Sequence, residues 1–224
     1  MSKISIIHPT RSRPELAFKA AMNWISKCKN MEDVQYILSI DTDEPKLIEY
    51  TKLFKNFNIC ITKNDNRSAI DAINNAARLA VGNLMIVVSD DFDCPMDWDE
   101  TLLTSLDGKE DFIVKTADGI QAFIITLPIL DRKYYDRFGY IYYPGYRHMF
   151  CDSEMSVVGY MLDKTINLDI MFKHNHYIVG GMAKDAINER NDSTWEQGEQ
   201  LFHSRKLINF GLSDFVKPYK EGMI

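Results

Sequence analysis

The chain lacks most of the devices that would staple or anchor it. Its four cysteines, Cys28, Cys60, Cys94 and Cys151, lie far apart and form no CxxC pair. That excludes a disulfide framework or a cysteine-paired zinc module and leaves reduced thiols in a cytoplasmic protein as the plain expectation. No window approaches the ~18 apolar residues of a membrane span. The start, Met1-Ser2-Lys3-Ile4, runs into a strand without a signal-peptide pattern. Basic excess is absent: 26 Lys+Arg against 32 Asp+Glu give a net charge of −6, which argues against duplex DNA as the main partner. No internal repeat or low-complexity tract interrupts the sequence.

What is present is an ordinary globular composition, 46% hydrophobic and 26% charged over 224 residues, enough for one α/β domain with a sizeable core. The pattern predicts strands at 3–8, 34–40, 57–62 and 84–89. Between them it predicts helices at 14–28, with Ser12 as cap and Pro14 in the first turn, at 45–55, and at 66–80 with Gly82 as C-cap. Short βαβ connections of this kind predict a mostly parallel sheet covered by helices.

The second half is less regular. A helix is expected at 98–106. Segments 112–116 and 120–127 flank Ala117-Asp118-Gly119 as a hairpin or two mixed strands. Helices are expected at 129–138, closed by Gly139, and at 152–162, with a strand at 166–172. Segment 140–149 is aromatic and irregular, and 177–191, with Gly180-Gly181, reads as a mobile loop. Ser193-Thr194-Trp195-Glu196 reads as a capping box opening a last helix that ends near Gly211, with Trp195 and Phe202 as core residues. The whole, 1–224, is read as one domain: 1–107 a nucleotide-binding half, 108–224 an acceptor-binding half.

The densest chemistry lies in Val87-Val88-Ser89-Asp90-Asp91-Phe92-Asp93-Cys94-Pro95. An apolar strand ends in three carboxylates within four residues. Such charges repel one another at a cost unless a cation neutralises them, and the C-terminal end of a strand is where an α/β sheet binds ligands. Hard cations such as Mg²⁺ or Mn²⁺ take oxygen ligands and often share them with diphosphate. The bland alternative is a solvated turn.

In order, Ile4-Ser5-Ile6-Ile7-His8-Pro9-Thr10-Arg11, Ile40-Asp41, Asn66-Arg67-Ser68-Ala69 with Asn74-Asn75-Ala76 and Ala80-Val81-Gly82, Ser89-Asp90-Asp91 with Pro95, and Cys151-Asp152-Ser153-Glu154 resemble the GT-A glycosyltransferases of the family 2 group. The resemblance implies a GT-A (Rossmann-like) α/β fold: a mostly parallel sheet flanked by helices, with a mixed, acceptor-side C-terminal half. It implies that Pro9, Thr10, Arg11 and Asp41 bracket base and ribose, that Arg67 meets phosphate or base, and that Asp90 lies near the ribose. It also implies an Mn²⁺ or Mg²⁺ cofactor. Two registers of the Asp-x-Asp motif stay open, Ser89-Asp90-Asp91 and Asp91-Phe92-Asp93, so Asp91 and Asp93 are the metal candidates, with His174 or His176 supplying a further ligand.

By the same resemblance Asp152 is the general base of an inverting transfer to an acceptor hydroxyl, and Glu154 the weaker candidate. Lys173 and Lys184 would help with diphosphate charge. The aromatic run from Tyr134 to Tyr146 would line an acceptor pocket or form a packed arm or dimer contact. The implied partners are a nucleotide-sugar donor, most simply a UDP-sugar, and a glycan or other hydroxyl acceptor. Rivals are a nucleotidyltransferase, disfavoured because 9–14 contains no glycine, a binding protein without catalysis, and a glycosyltransferase of modified DNA bases using Arg132, Lys133, Arg137, Arg147 and His148.

Overall fold

A computed structural model describes residues 3–213 and 216–219. The chain opens with β1 (Ile4–Pro9), α1 (Pro14–Ser26), β2 (Val34–Asp41), α2 (Leu47–Phe54), β3 (Cys60–Asn64), α3 (Ala69–Ala77) and β4 (Leu84–Val87). It continues with β5 (Phe92–Asp93), α4 (Trp98–Ser105), β6 (Ile113–Ala117), β7 (Ile129–Asp131), α5 (Arg132–Phe138), α6 (Cys151–Met161), β8 (Thr165–Met171), β9 (Lys173–His174), α7 (Ala186–Asp192) and α8 (Trp195–Leu207). Seven strands form one sheet in the order β3-β2-β1-β4-β7-β6-β8, in which only β7 runs against the rest, while β5 and β9 pair as a separate antiparallel ribbon.

Period-two alternation explains why the central strands read as nearly continuous apolar runs. Ile4 and Ile6 of β1, Tyr36, Leu38 and Ile40 of β2, and Leu84 and Ile86 of β4 face one core with Trp24 and Trp98. Ile7, Ile37, Met85 and Val87 face the other with Ile70, Ile73, Tyr134 and Met155. Both faces of a parallel sheet are covered, so both phases of each strand must be apolar. Chain order reverses between β1 and β4, and that switch point opens a crevice at the carboxyl ends of the strands.

Several expected boundaries move, for identifiable reasons. Ser12 does not cap α1; it takes a left-handed turn (φ 58°), and Arg13 holds the cap position without a side-chain bond. The third helix ends at Ala77, and Gly82 is not its cap. Gly82 instead presses against β1, where an added Cβ would lie 2.6 Å from the Ile4 carbonyl carbon. Segment 120–127 is irregular, and the antiparallel partner of β6 is β7, so residues 129–131 are strand and only 132–138 helix. Gly139 closes α5 at φ 70° as expected. Segment 177–191 contains α7, opened by a capping box of Asp185 and Asn188. The Ser193–Thr194 pair makes no capping box, and Trp195 is exposed while Phe202 is buried. All four cysteines are free. Among the described residues no helix is long and apolar enough to cross a membrane.

Candidate active site

Three strand ends build the site. At β1 the chain leaves through Thr10, whose hydroxyl bonds Tyr50 (2.9 Å) and donates to Asp90 (3.1 Å). The wholly buried His8 links the Tyr36 hydroxyl through Nδ1 (2.7 Å) to Asp90 through Nε2 (2.9 Å). Asp90, its side chain 5% exposed, is thus tied beneath the β1 loop. Beside it, Asp41 at the end of β2 accepts from Asn66 (2.8 Å), which in turn accepts from Asn75 (2.8 Å). Arg11 bridges Asp41 and the exposed Asp43.

The second part is the ribbon. Phe92 and Asp93 pair with His174 and Lys173. The ribbon is pinned to α1, where Trp24 donates its indole N–H to the Phe92 carbonyl (3.3 Å), Asn23 accepts from the Cys94 amide (3.0 Å) and Lys27 donates to the Cys94 carbonyl (2.7 Å). The Phe92 ring stacks on His174 at 4.2 Å. With Phe92 turned inward, Asp91 and Asp93 share the opposite phase of the strand. Asp91 bonds Ser89 and faces His174 Nε2 at 3.2 Å, and Asp93 accepts from Asn175 at 2.9 Å. Asp118, which follows β6, lies 3.9 Å from the other His174 nitrogen and is fixed by Thr126 and by the amides of Ile120 and Gln121.

The electrostatics follow from these partners. Burial works against charge on Asp91, but the His174 contact outweighs it and holds the carboxyl down at about 2. Burial likewise lowers His174, yet the carboxylates of Asp118 and Asp91 on either side lift it to about 9. Burial lowers His176, and the neighbouring His174 charge adds to that.

The third part is the first turn of α6. Asp152 accepts from the Ser153 amide (2.8 Å), burial raises its carboxyl above the usual range, and the charge of His174 acts in opposition. Glu154 is buried, accepts from Arg205 (2.8 Å) and Tyr146 (2.8 Å), and fastens α6 to α8.

Of the expected residues, contacts join Thr10 to Asp90, Arg11 to Asp41 and Asp91 to His174, with Asp93 and His176 beside them and Pro9 ending β1, while Asp152 opens α6. Arg67 is not brought in; 76% exposed, it pairs with Asp71 one helical turn on. Lys184 pairs with Asp192, and Lys173 is exposed. The aromatic run packs inward: Tyr134, Tyr135, Tyr142 and Tyr146 are buried, and the Arg205 guanidinium lies 3.5 Å over Tyr143. The basic residues suggested for a DNA groove are largely spent, Arg132 on the carbonyls of Ala80 and Gly82, Lys133 on Glu110 and Arg137 on Asp111.

Residues missed from sequence include His8, Asn66, Asp118 and Arg13. Arg13 reaches from the β1 loop to Asp185 (Nε, 2.7 Å) and Asn188 (3.0 Å), and its guanidinium is 3.9 Å from Asp90. His8 gave a signal, a polar residue in an apolar strand. Asp118 and Arg13 act across long separations that no local pattern encodes.

No family model and no curated protein sequence matches the chain. Solved structures do. TarS from S. aureus in complex with UDP aligns with a TM-score of 0.64 at 12% identity, over 95% of this chain and 76% of that one. The mannosyltransferase PcManGT from Pyrobaculum calidifontis, in complex with GDP-Man and Mn²⁺, aligns at 0.58 with 16% identity, over 77% of this chain and 56% of that one. The chain shares the fold of these structures. A longer TarS structure aligns at 0.62 and 14% identity, and there the chain spans only 36% of its neighbour. The chain thus spans about half or less of two of these neighbours.

Proposed function

We propose that the protein transfers a sugar from a nucleotide donor, most simply a UDP-sugar, to an acceptor hydroxyl, with inversion in a single displacement. The reading rests on Asp41 with Asn66 and the acidic ribbon with His174 at the strand ends, and on Asp152 in the first turn of α6, whose carboxyl feels the charge of His174. The fold's likeness to proteins solved with UDP, UDP-GlcNAc and GDP-Man supports it.

In this reading Asp41 and Asn66 hold the base and ribose through directed hydrogen bonds. Arg11 meets the nucleoside, exchanging part of its contact with Asp43. Asp90, immobilised by His8 and Thr10, stiffens the floor below. Asp152 takes the proton from the acceptor hydroxyl as its oxygen attacks the anomeric carbon, and its partial burial makes it a better base than an exposed aspartate. Arg13 holds α7 against the β1 loop, so that the segment from His176 to Asp192 covers the donor and excludes water, whose attack is the competing reaction.

The donor set suits a divalent cation such as Mn²⁺ or Mg²⁺: two carboxylates, Asp91 and Asp93, with the His176 imidazole, which burial disfavours as a cation, and His174, which would have to give up the proton that Asp91 and Asp118 hold on it. Among the described residues no three such side chains converge, so diphosphate oxygens would complete the coordination. Asp91, with His174 or His176 and Asp93 beside it, would hold the ion, which supplies charge stabilisation for the departing diphosphate. The test is release of nucleoside diphosphate from UDP-glucose, UDP-N-acetylglucosamine and GDP-mannose with MnCl₂. Slow hydrolysis of one donor, lost in Asp91→Ala, is expected; no hydrolysis or binding of any of them overturns the proposal.

A further inference from the structure

The loop after β1 is pinned along its length. The Thr10 hydroxyl bonds Tyr50, the Ser12 amide donates to Glu44 (2.9 Å) and the Arg13 amide donates to the Tyr50 hydroxyl (3.0 Å). Arg13 therefore projects from a fixed backbone at the head of α1. Its guanidinium is fixed as well. Nε and Nη2 donate to the Asp185 carboxylate in the paired geometry that suits arginine, and Nη2 also donates to Asn188 (3.0 Å).

Nη1 is the corner left over. It faces Asp90 at 3.9 Å, too long for a hydrogen bond, and among the described residues it donates none. Asp90 does not require it, because one of its oxygens is bonded by His8 and the other by Thr10. The Arg13 side chain keeps 12% exposure, and Nη1 is not one of the unpartnered atoms sealed from solvent. A ligand at the strand ends can reach it.

The neighbouring cations are committed elsewhere. Arg11 bridges Asp41 and Asp43, and His174 stands between Asp91 and Asp118. A diphosphate arriving here adds negative charge beside Asp90 and Asp91, and a divalent cation offsets only part of it. A guanidinium corner with unspent N–H groups suits a phosphate oxygen, and one already held in place loses little side-chain freedom on binding it.

We propose that Arg13 binds the diphosphate of the donor through Nη1, while Asp185 and Asn188 hold the rest of its guanidinium. The inference rests on the nucleotide-sugar reading above. It differs from the anchoring of α7: a residue that only anchors acts on nucleoside and nucleotide alike, whereas one that touches the diphosphate acts on the nucleotide alone.

The experiment separates those two affinities. Uridine, UDP, guanosine and GDP are titrated by calorimetry into the full chain, with MnCl₂, as wild type, Arg13→Gln, Arg13→Lys and Asp185→Ala. For the nucleotide that wild type binds, Arg13→Gln should weaken the diphosphate about tenfold, the loss of one charge-assisted hydrogen bond, while the nucleoside stays within about twofold. Arg13→Lys keeps the charge without the fork and should lose about threefold, so it reports even if the glutamine variant fails to fold. Asp185→Ala releases α7 but leaves the guanidinium, and should change the ratio of diphosphate to nucleoside affinity less than Arg13→Gln does. An unchanged ratio in Arg13→Gln, or in Arg13→Lys where Arg13→Gln does not fold, overturns the proposal. So does an Asp185→Ala protein with the full loss of Arg13→Gln, which assigns the effect to anchoring. Wild type that binds no nucleotide overturns the nucleotide-sugar reading and this inference with it.

Discussion

Replacing Arg205 with methionine tests whether the aromatic half of the molecule is core rather than an open acceptor surface. Glu154 is 4% exposed and Arg205 8%. The guanidinium donates to Glu154 at 2.8 Å and to the Phe210 carbonyl at 2.7 Å, with the Tyr143 ring 3.5 Å beneath it. Methionine fills much of the volume but leaves the Glu154 carboxylate with only the Tyr146 hydroxyl, 2.8 Å away. An uncompensated buried charge costs about 3–5 kcal/mol, and for a chain of this size that lowers Tm by about 6–20 °C. The double variant Glu154→Gln/Arg205→Met carries no buried charge and should melt above Arg205→Met alone. The assay is thermal unfolding by circular dichroism at pH 7. An Arg205→Met protein melting within about 2 °C of wild type, or a double variant no better than the single one, would refute the reasoning.

Other consequences are open to direct measurement. Asp152→Asn should lower kcat by about 10²–10⁴-fold with nucleotide affinity unchanged, and the acid limb of the wild-type kcat profile should lie above the ordinary aspartate range, because burial raises that carboxyl. Burial alone would also raise Asp99, but the Lys29 and Asn30 amides donating at 2.8 and 2.9 Å outweigh it and hold the carboxyl below its usual value. That stabilisation is present above about pH 4 and lost as pH falls; Asp99→Ala should therefore cost about 1–3 kcal/mol at pH 7 in urea unfolding, with the gap to wild type closing toward pH 3. Gly82→Ala would push a methyl to 2.6 Å from the β1 backbone and should destabilise by about 1–3 kcal/mol in the same assay, whereas a helix-capping glycine would have shown φ > 0.

The first half of the chain, residues 1–107, was largely legible because its signals are local. Two-phase apolar runs marked β1, β2 and β4, and the acids at their ends marked the crevice. Where the reading slipped, the deciding contacts were distant. Nothing near residue 129 announces that β4 will recruit 129–131 as an antiparallel neighbour, so the local pattern there reads as the start of a helix. Gly82 was given the commonest role of a glycine after a helix, while its real constraint is the backbone of β1. The tyrosines of 134–146 carry hydroxyls that suit a sugar pocket equally well, and only packing shows Tyr140, Tyr143 and Tyr146 engaged with Glu154, Arg205 and one another. Arg67 looked apt beside a phosphate site, but Asp71, four residues on, offers a nearer partner.

The central claim, that the strand ends around Asp41, Asp90 and Asp91 hold a nucleotide diphosphate, is met most directly by a crystal structure of the full chain soaked with UDP and MnCl₂. The account predicts uracil beside Asp41 and Asn66, with the diphosphate against Asp91 and His174. Nucleotide bound elsewhere, or a soaked crystal with Asp91 still closed on Ser89 and His174 and no ligand at that edge, would contradict it.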